Sequence, residues 1–114
     1  MLSNDATPEQ LDAVFIALGN HKRRGILTTL SFRPATVSQL AEEHELSLAA
    51  IHRHIRVLEE AQLIQRRKVG RTNFVALRRA LLAATQAWMA QYRTEWGNDS
   101  ETLENYIAEL SKKQ

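Results

Sequence analysis

Residues 46–77, LSLAAIHRHIRVLEEAQLIQRRKVGRTNFVAL, constrain this chain more than any other stretch. Apolar residues recur at helical spacing in its first half. In its second half they alternate in two short runs on either side of Gly70. A switch of period from about 3.6 to 2 within one segment reads as a helix followed by a strand–turn–strand. Charge gathers in the same place. From Arg53 to Arg79 there are eight Lys or Arg and only two acids, Glu59 and Glu60. Like charges crowded onto a small hairpin repel, and a polyanion is their natural compensation.

Place Ile51 at the origin of a helical wheel. Ser47, Ile55, Leu58 and Gln62 then fall within about 40° of it and form an expected core stripe, with His54 at its edge. Ala49, His52, Arg53, Arg56 and Glu60 fall on the opposite side, which is small and basic near the start of the helix. Such a face approaches base edges without bulk in the way. Arg53 has two readings, a guanine edge or a phosphate. Arg66, Arg67, Lys68 and Arg71 crowd the tip of the hairpin, with Arg78 and Arg79 beyond it. Arg71 reaches toward a minor groove or its flanking phosphates, and Lys22, Arg23, Arg24 and Arg33 offer further backbone contacts. The same cations also protect sheet edges from pairing.

The whole chain reads as four helices before the hairpin and two after it. Thr7 and Pro8 open a helix with Leu11, Val14, Phe15 and Leu18 at helical spacing, ending at Gly19. Asn20 caps a second, with Ile26, Leu27 and Leu30 inward, closed by Arg33-Pro34. Thr36 starts a short third helix with Val37, Leu40 and Ala41 inward; residues 44–46 form the turn. Ser47 caps the fourth, which runs to about residue 61. Strands are expected at 63–68 and 72–77, a long helix at about 78–96 broken by Gly97-Asn98, and a last helix from Ser100 to near Lys112. The expected architecture is mainly α with a small β-hairpin wing: a winged helix-turn-helix. It forms a single domain over 1–114, with the helix-turn-helix at about 36–61 and the wing at about 63–77.

Composition narrows the function classes. At 114 residues, 44% hydrophobic and 25% charged, the chain sits in the ordinary range for a soluble domain. The net charge of +2 conceals an uneven layout. Residues 1–21 carry Asp5, Glu9 and Asp12 with no Lys or Arg. Residues 80–114 carry Arg93, Lys112 and Lys113 against Glu95, Asp99, Glu101, Glu104 and Glu109. A basic middle between acidic ends favours an anionic partner at the middle. The absence of cysteine excludes disulfides, thiolate metal sites and a cysteine nucleophile. No glycine-rich phosphate loop, His-x-x-x-His pair or carboxylate cluster with a base is present, so no enzyme is expected. Glu42, Glu43 and Glu45 read as a solvated turn. No apolar run approaches the roughly 20 residues of a membrane span, and no signal peptide is visible, so a cytoplasmic location is expected.

With these residues placed, the chain resembles the ArsR/SmtB-type bacterial winged-helix repressors over about residues 9–110. ALGNHKRRGIL (17–27) is similar to the family's opening signature, with Arg23 at its arginine position. VSQLAEEHELSLAAIHRHIRVLEEAQLI (37–64) resembles its helix-turn-helix, and RRKVGRTNFVAL (66–77) its wing. There are departures. Leu48 and His52 stand where the family often carries Gln and Ser, and Ala61-Gln62 stands for a frequent Ala-Gly. The family's metal ligands do not carry over. Thr36, Val37 and Ser38 occupy the Cys-Val-Cys positions, and residues 80–94 hold no His, Asp or Glu. No cofactor and no metal are expected.

The resemblance implies a homodimer on double-stranded DNA with a pseudo-palindromic operator, paired through helices at about 8–19 and 78–112. Two recognition helices then lie about 34 Å apart. The expected DNA-contacting residues are Ser47, Ala49, His52, Arg53, Arg56, Arg66, Lys68, Arg71 and Arg23. The expected dimer residues are Leu11, Val14, Phe15, Leu82, Trp88, Tyr92 and Trp96, the last three spaced i, i+4, i+8. A small apolar effector at that aromatic stripe, and a repressor governed only by its own abundance, both remain open. So does a second class of function, a winged-helix protein-interaction module that never touches DNA; the basic wing argues against it.

Overall fold

A computed structural model describes residues 5–92 and 99–113 of the chain. The elements run α1 Pro8–Leu18, α2 His21–Phe32, β1 Ala35–Thr36, α3 Val37–Glu43, α4 Leu48–Glu60, β2 Ile64–Val69, β3 Thr72–Leu77, α5 Ala80–Ala90 and α6 Asp99–Lys112. The architecture is mainly helical with a small antiparallel sheet, the winged helix-turn-helix arrangement that the change of period implies.

Side-chain caps set the helix starts. Thr7 Oγ1 accepts from the Gln10 amide at 3.1 Å, and Gln10 Oε1 accepts from the Thr7 amide at 2.8 Å. Thr36 and Gln39 repeat this reciprocal pair at the start of α3, at 3.0 and 2.9 Å. Each pair satisfies two backbone donors that a helix start leaves free. Asn20 Oδ1 accepts from the Lys22 and Arg23 amides, and Ser47 Oγ from Ala50. These four caps place α1, α2, α3 and α4 in register with the apolar residues they bury.

The core gathers one face of every element from α1 to β3. Ile26, Leu40, Ile51, Ile55, Leu58, Leu63, Ile64 and Val75 are among its fully enclosed side chains. β3 is the central strand: β1 pairs with it at Ala35↔Val75 and Thr36↔Phe74, and β2 at Arg66↔Val75 and Arg67↔Phe74. The β2–β3 connection is the pair Gly70-Arg71, with Gly70 at φ +62°. A two-residue hairpin that needs positive φ at its first loop position selects glycine there.

Four expectations change. β1 does not appear in the sequence reading, because two residues carry no periodicity. α5 ends at Ala90 rather than running on to 96, and the expected break at Gly97-Asn98 lies outside the described residues. β2 begins at Ile64, one residue late. The core stripe is shorter at both ends: Ser47 is exposed as the N-cap, and Gln62 is not on the stripe. The helix has ended, and Gln62 is exposed at φ +61°.

That last residue occupies a place that favours glycine. Leu63 N donates to Leu58 O at 3.0 Å and Gln62 N to Glu59 O at 2.9 Å, which is a Schellman close with Gln62 in the left-handed position. α3 closes the same way through Glu45 at φ +55°, with Leu46 N on Ala41 O at 2.8 Å. A side chain in that conformation costs about 1–2 kcal/mol, partly offset by the lower entropy of a non-glycine residue when unfolded. Gln62→Gly is therefore expected to raise stability by about 0.5–1 kcal/mol in urea denaturation, with Gln62→Ala giving no gain. Equal midpoints for the two variants would show that no strain resides there.

Candidate nucleic-acid interface

α4 divides its surface between two tasks. Ile51, Ile55 and Leu58 are fully buried, while Ala49, His52, Arg53, Arg56 and Glu60 are exposed. The buried stripe fixes the roll of the helix, so the outer face is presented at a set angle. The Ser47 hydroxyl, expected to contact DNA, is already an acceptor for the Ala50 amide.

The wing stands beside the first turns of this helix. Strand alternation puts Ile64, Arg66 and Lys68 on one face of β2 and Gln65, Arg67 and Val69 on the other. Arg66 lies on the α4 side, where Nη2 meets Glu59 Oε1 at 2.8 Å, so part of its charge is engaged within the chain. Arg71, at the hairpin tip, and His52, on α4, line one cleft of about 310 Å³ with Thr36, Ser38, Leu48 and Asn73. Helix and wing thus converge on a single surface. His52 and Arg71 line the cleft, and Arg53, Arg56 and Lys68 are exposed on the same two elements. Leu48 was not among the expected contacts. The signal for it was its place directly after the capping Ser47, at the exposed start of the helix.

Arg23 turns elsewhere. Its Nε donates to Ala17 O at 2.8 Å and its Nη2 to Ile16 O at 3.1 Å, both at the end of α1. Its Nη1 lies 3.3 Å from His54 Nδ1 on α4. Arg24 Nη1 donates to Leu18 O at 2.7 Å, and Lys22 Nζ to His44 O at 2.8 Å. All three cations close carbonyls at helix ends, where the orphan acceptors and the helix dipole both favour positive charge. The His44 ring is held in turn by Thr29 Oγ1, 3.0 Å from Nε2. Gly25 makes room for it, since a Cβ there would lie 3.3 Å from His44 Cε1.

The expected dimer residues also separate. Val14 is fully buried in the chain's own core and is not available to a partner. Leu11 and Leu82 are half-buried. Phe15, Trp88 and Tyr92 form an exposed edge-to-face run, with ring centroids 5.7 and 5.1 Å apart. Ile16 at 67% exposure and Met89 at 55% extend that run and were not expected. Trp96 lies outside the described residues. Among the described residues no group of three or more His, Cys, Asp or Glu could hold a metal ion. No described helix is long and apolar enough to cross a membrane.

Comparison with known proteins agrees with this geometry. A helix-turn-helix domain family matches residues 18–67. The transcriptional repressor SdpR of Bacillus subtilis (strain 168) is 27% identical over 89 residues, covering 78% of this chain and 99% of the repressor. An ArsR family transcriptional regulator of known crystal structure is 36% identical, with a TM-score of 0.70, over 79% of this chain and 99% of its own. An ArsR-like transcriptional regulator from Rhodococcus sp. RHA1 superimposes with a TM-score of 0.76 at 27% identity, over 93% of this chain and 94% of its own.

The Arg23–His54 contact carries a pH dependence. Arginine only donates, so Nδ1 accepts and the ring there is neutral. Burial, followed by the charges of Arg23, Arg53, His21 and Lys22, holds the His54 pKa below its usual 6.5. A histidine depressed in the folded state binds its proton first in the unfolded chain. The associated stability is complete above about pH 6.5 and declines as pH falls below that value toward the folded pKa. His54→Asn keeps an acceptor near Nδ1 and removes the titration. Urea denaturation from pH 7.5 to 5 should show a shallower loss in this variant than in the wild type; parallel curves would exclude His54 as the source.

Proposed function

The chain belongs to the ArsR family of transcriptional regulators, and from that premise we propose that it is a homodimeric, sequence-specific repressor that acts by occupying a promoter. The family is one of DNA-binding regulators, not enzymes. The observation that carries the proposal is the convergence of His52 on α4 and Arg71 on the wing tip in one cleft. α4 enters a major groove with Arg53 and Arg56 outward, while Arg71 and Lys68 reach the adjacent phosphates or minor groove. Arg23 is assigned to the frame rather than to the DNA, because all three of its guanidinium nitrogens are engaged by α1 and His54.

Pairing is assigned to the outer faces of α1, α5 and α6. Ile16, Phe15, Trp88 and Met89 are exposed on the first two, and Leu103, Tyr106, Ile107 and Leu110 on the third. Residues 103, 106, 107 and 110 share one helical side, which leaves α6 with an apolar face that water does not favour. A twofold pair covering these faces brings two copies of α4 onto successive turns of one side of the duplex. A cavity of about 300 Å³ beside Trp88 is lined by Asp5, Ala6, Ala84, Ala87 and Gln91, a half-polar wall that does not suit a small apolar effector.

Fluorescence anisotropy against the duplex immediately upstream of the coding region, with an unrelated duplex as reference, tests the DNA half of the proposal. At about 150 mM salt non-specific Kd values lie near 10⁻⁴–10⁻⁶ M, and the upstream duplex should bind at least about a hundredfold tighter. Arg71→Ala should reduce the slope of log K against log salt by about 0.9 per lost phosphate contact. Equal, weak binding of every duplex, including those drawn from a random pool, would remove sequence specificity. Sedimentation velocity tests the pairing: the wild type should run as a dimer, and Ile16→Glu with Met89→Glu as a folded monomer with far weaker operator binding. A monomeric wild type at micromolar concentration would count against it.

A further inference from the structure

Leu48 is the first residue of α4, and it is 60% exposed. Among the described residues it is the only large hydrophobic exposed on that helix; the others lie on α1, α5 and α6, just past the end of α5, at the end of α2, or on the wing. A single exposed leucine on an ordinary surface means little. Its neighbours here give it meaning. Ser47 caps the helix through the Ala50 amide, which fixes the first turn and with it the direction of Leu48. His52 lies four residues on, so the two side chains are adjacent on one helix face. Both line the cleft that also contains Arg71 of the wing. An uncharged branched side chain therefore stands on the surface assigned to the major groove, among groups that carry charge or hydrogen bonds.

In that groove the chemistry available to leucine is narrow. Guanine, adenine and cytosine present donors and acceptors there, and leucine satisfies none of them. Set against such an edge it strips water from polar groups and returns no hydrogen bond. Thymine alone adds an apolar group, its C5 methyl. We propose that Leu48 is a specificity-determining residue that reads a thymine methyl at the base step under the start of α4, once in each half-site. The operator thus carries a symmetric pair of thymines at that step. The inference rests on the DNA-binding reading above and adds to it which base one side chain selects.

The test separates the two. Duplexes are first selected from a random pool with the full-length wild-type protein. Each thymine of the selected site is then replaced by deoxyuridine, which removes the methyl and preserves base pairing and every hydrogen-bonding group. One symmetric pair should respond. Loss of one buried methyl corresponds to about a fourfold weaker Kd, and loss in both half-sites to about fifteenfold. Leu48→Ala, at an exposed position outside the core, should bind the thymine and deoxyuridine duplexes with equal affinity. Leu48→Gln should also lose the response and shift the selected base toward adenine, whose N6 and N7 match a carboxamide. If no thymine responds, or if the response persists unchanged in Leu48→Ala, the assignment of Leu48 is overturned while DNA binding stands. If the pool yields no enriched duplex, the DNA-binding reading itself fails and takes this inference with it.

Discussion

Three consecutive cations at the start of α2 hold together the arrangement on which the rest of the molecule depends. α1 ends without a basic residue in its last turn, so its terminal carbonyls lack a local partner of positive charge. Arg23 and Arg24 reach back and close three of them, at Ile16, Ala17 and Leu18. Lys22 reaches forward and closes His44 at the end of α3. A hydrogen bond from a charged donor contributes about 1.5–3 kcal/mol when shielded from water; of the two that Arg23 makes to backbone, the one to Ala17 O is partly shielded and the one to Ile16 O is exposed. The triplet thereby sets α1 and α3 relative to α2, which is the first requirement for a helix-turn-helix of fixed angle.

The fourth element is tied in by a third donor of Arg23, on Nη1. Its contact to His54 joins the frame to α4 on the side next to the core stripe. The apolar residues Ile51, Ile55 and Leu58 resist rotation of α4, and the Arg23–His54 contact resists its translation along α2. With orientation secured from beneath, the outer face has no packing duty. That freedom leaves Ala49, His52, Arg53 and Arg56 exposed and unconstrained by the core.

Much of this was legible in the residues and some was not, for identifiable reasons. Helix starts were readable because Thr7, Asn20, Thr36 and Ser47 have side chains whose chemistry suits one position. The buried side of α4 was readable because its apolar period is strong; Ser47 and Gln62, at its two ends, were misplaced, since a wheel assumes that the helix continues, whereas the cap at Ser47 and the Schellman close at Gln62 bound it. Charge was less transparent. Lys22, Arg23 and Arg24 look in sequence like the cations of the wing, and nothing in residue type separates a guanidinium that binds phosphate from one that binds helix carbonyls. Only the placement of α1's last turn decides it. β1 was hidden by its length, and Val14 by a helix with apolar residues on two sides, one facing its own core and one facing out.

The two sides of α1 give the frame its further consequence. Phe15 and Ile16 point outward, toward the face assigned to pairing, while the carbonyls of Ile16 and Ala17 are held by Arg23. One guanidinium thus spans the step from the end of α1 to His54 on α4. In a twofold pair the separation of the two α4 helices would then be set by how α1 meets its partner, through the guanidinium of Arg23 held at three points. A homodimer reading half-sites at about 34 Å needs that stiffness, because an error of a few ångströms in spacing carries both α4 helices out of register with the groove. The neutral state of His54 belongs to the same frame: a second positive charge beside Arg23 would repel the guanidinium that connects α1 to α4.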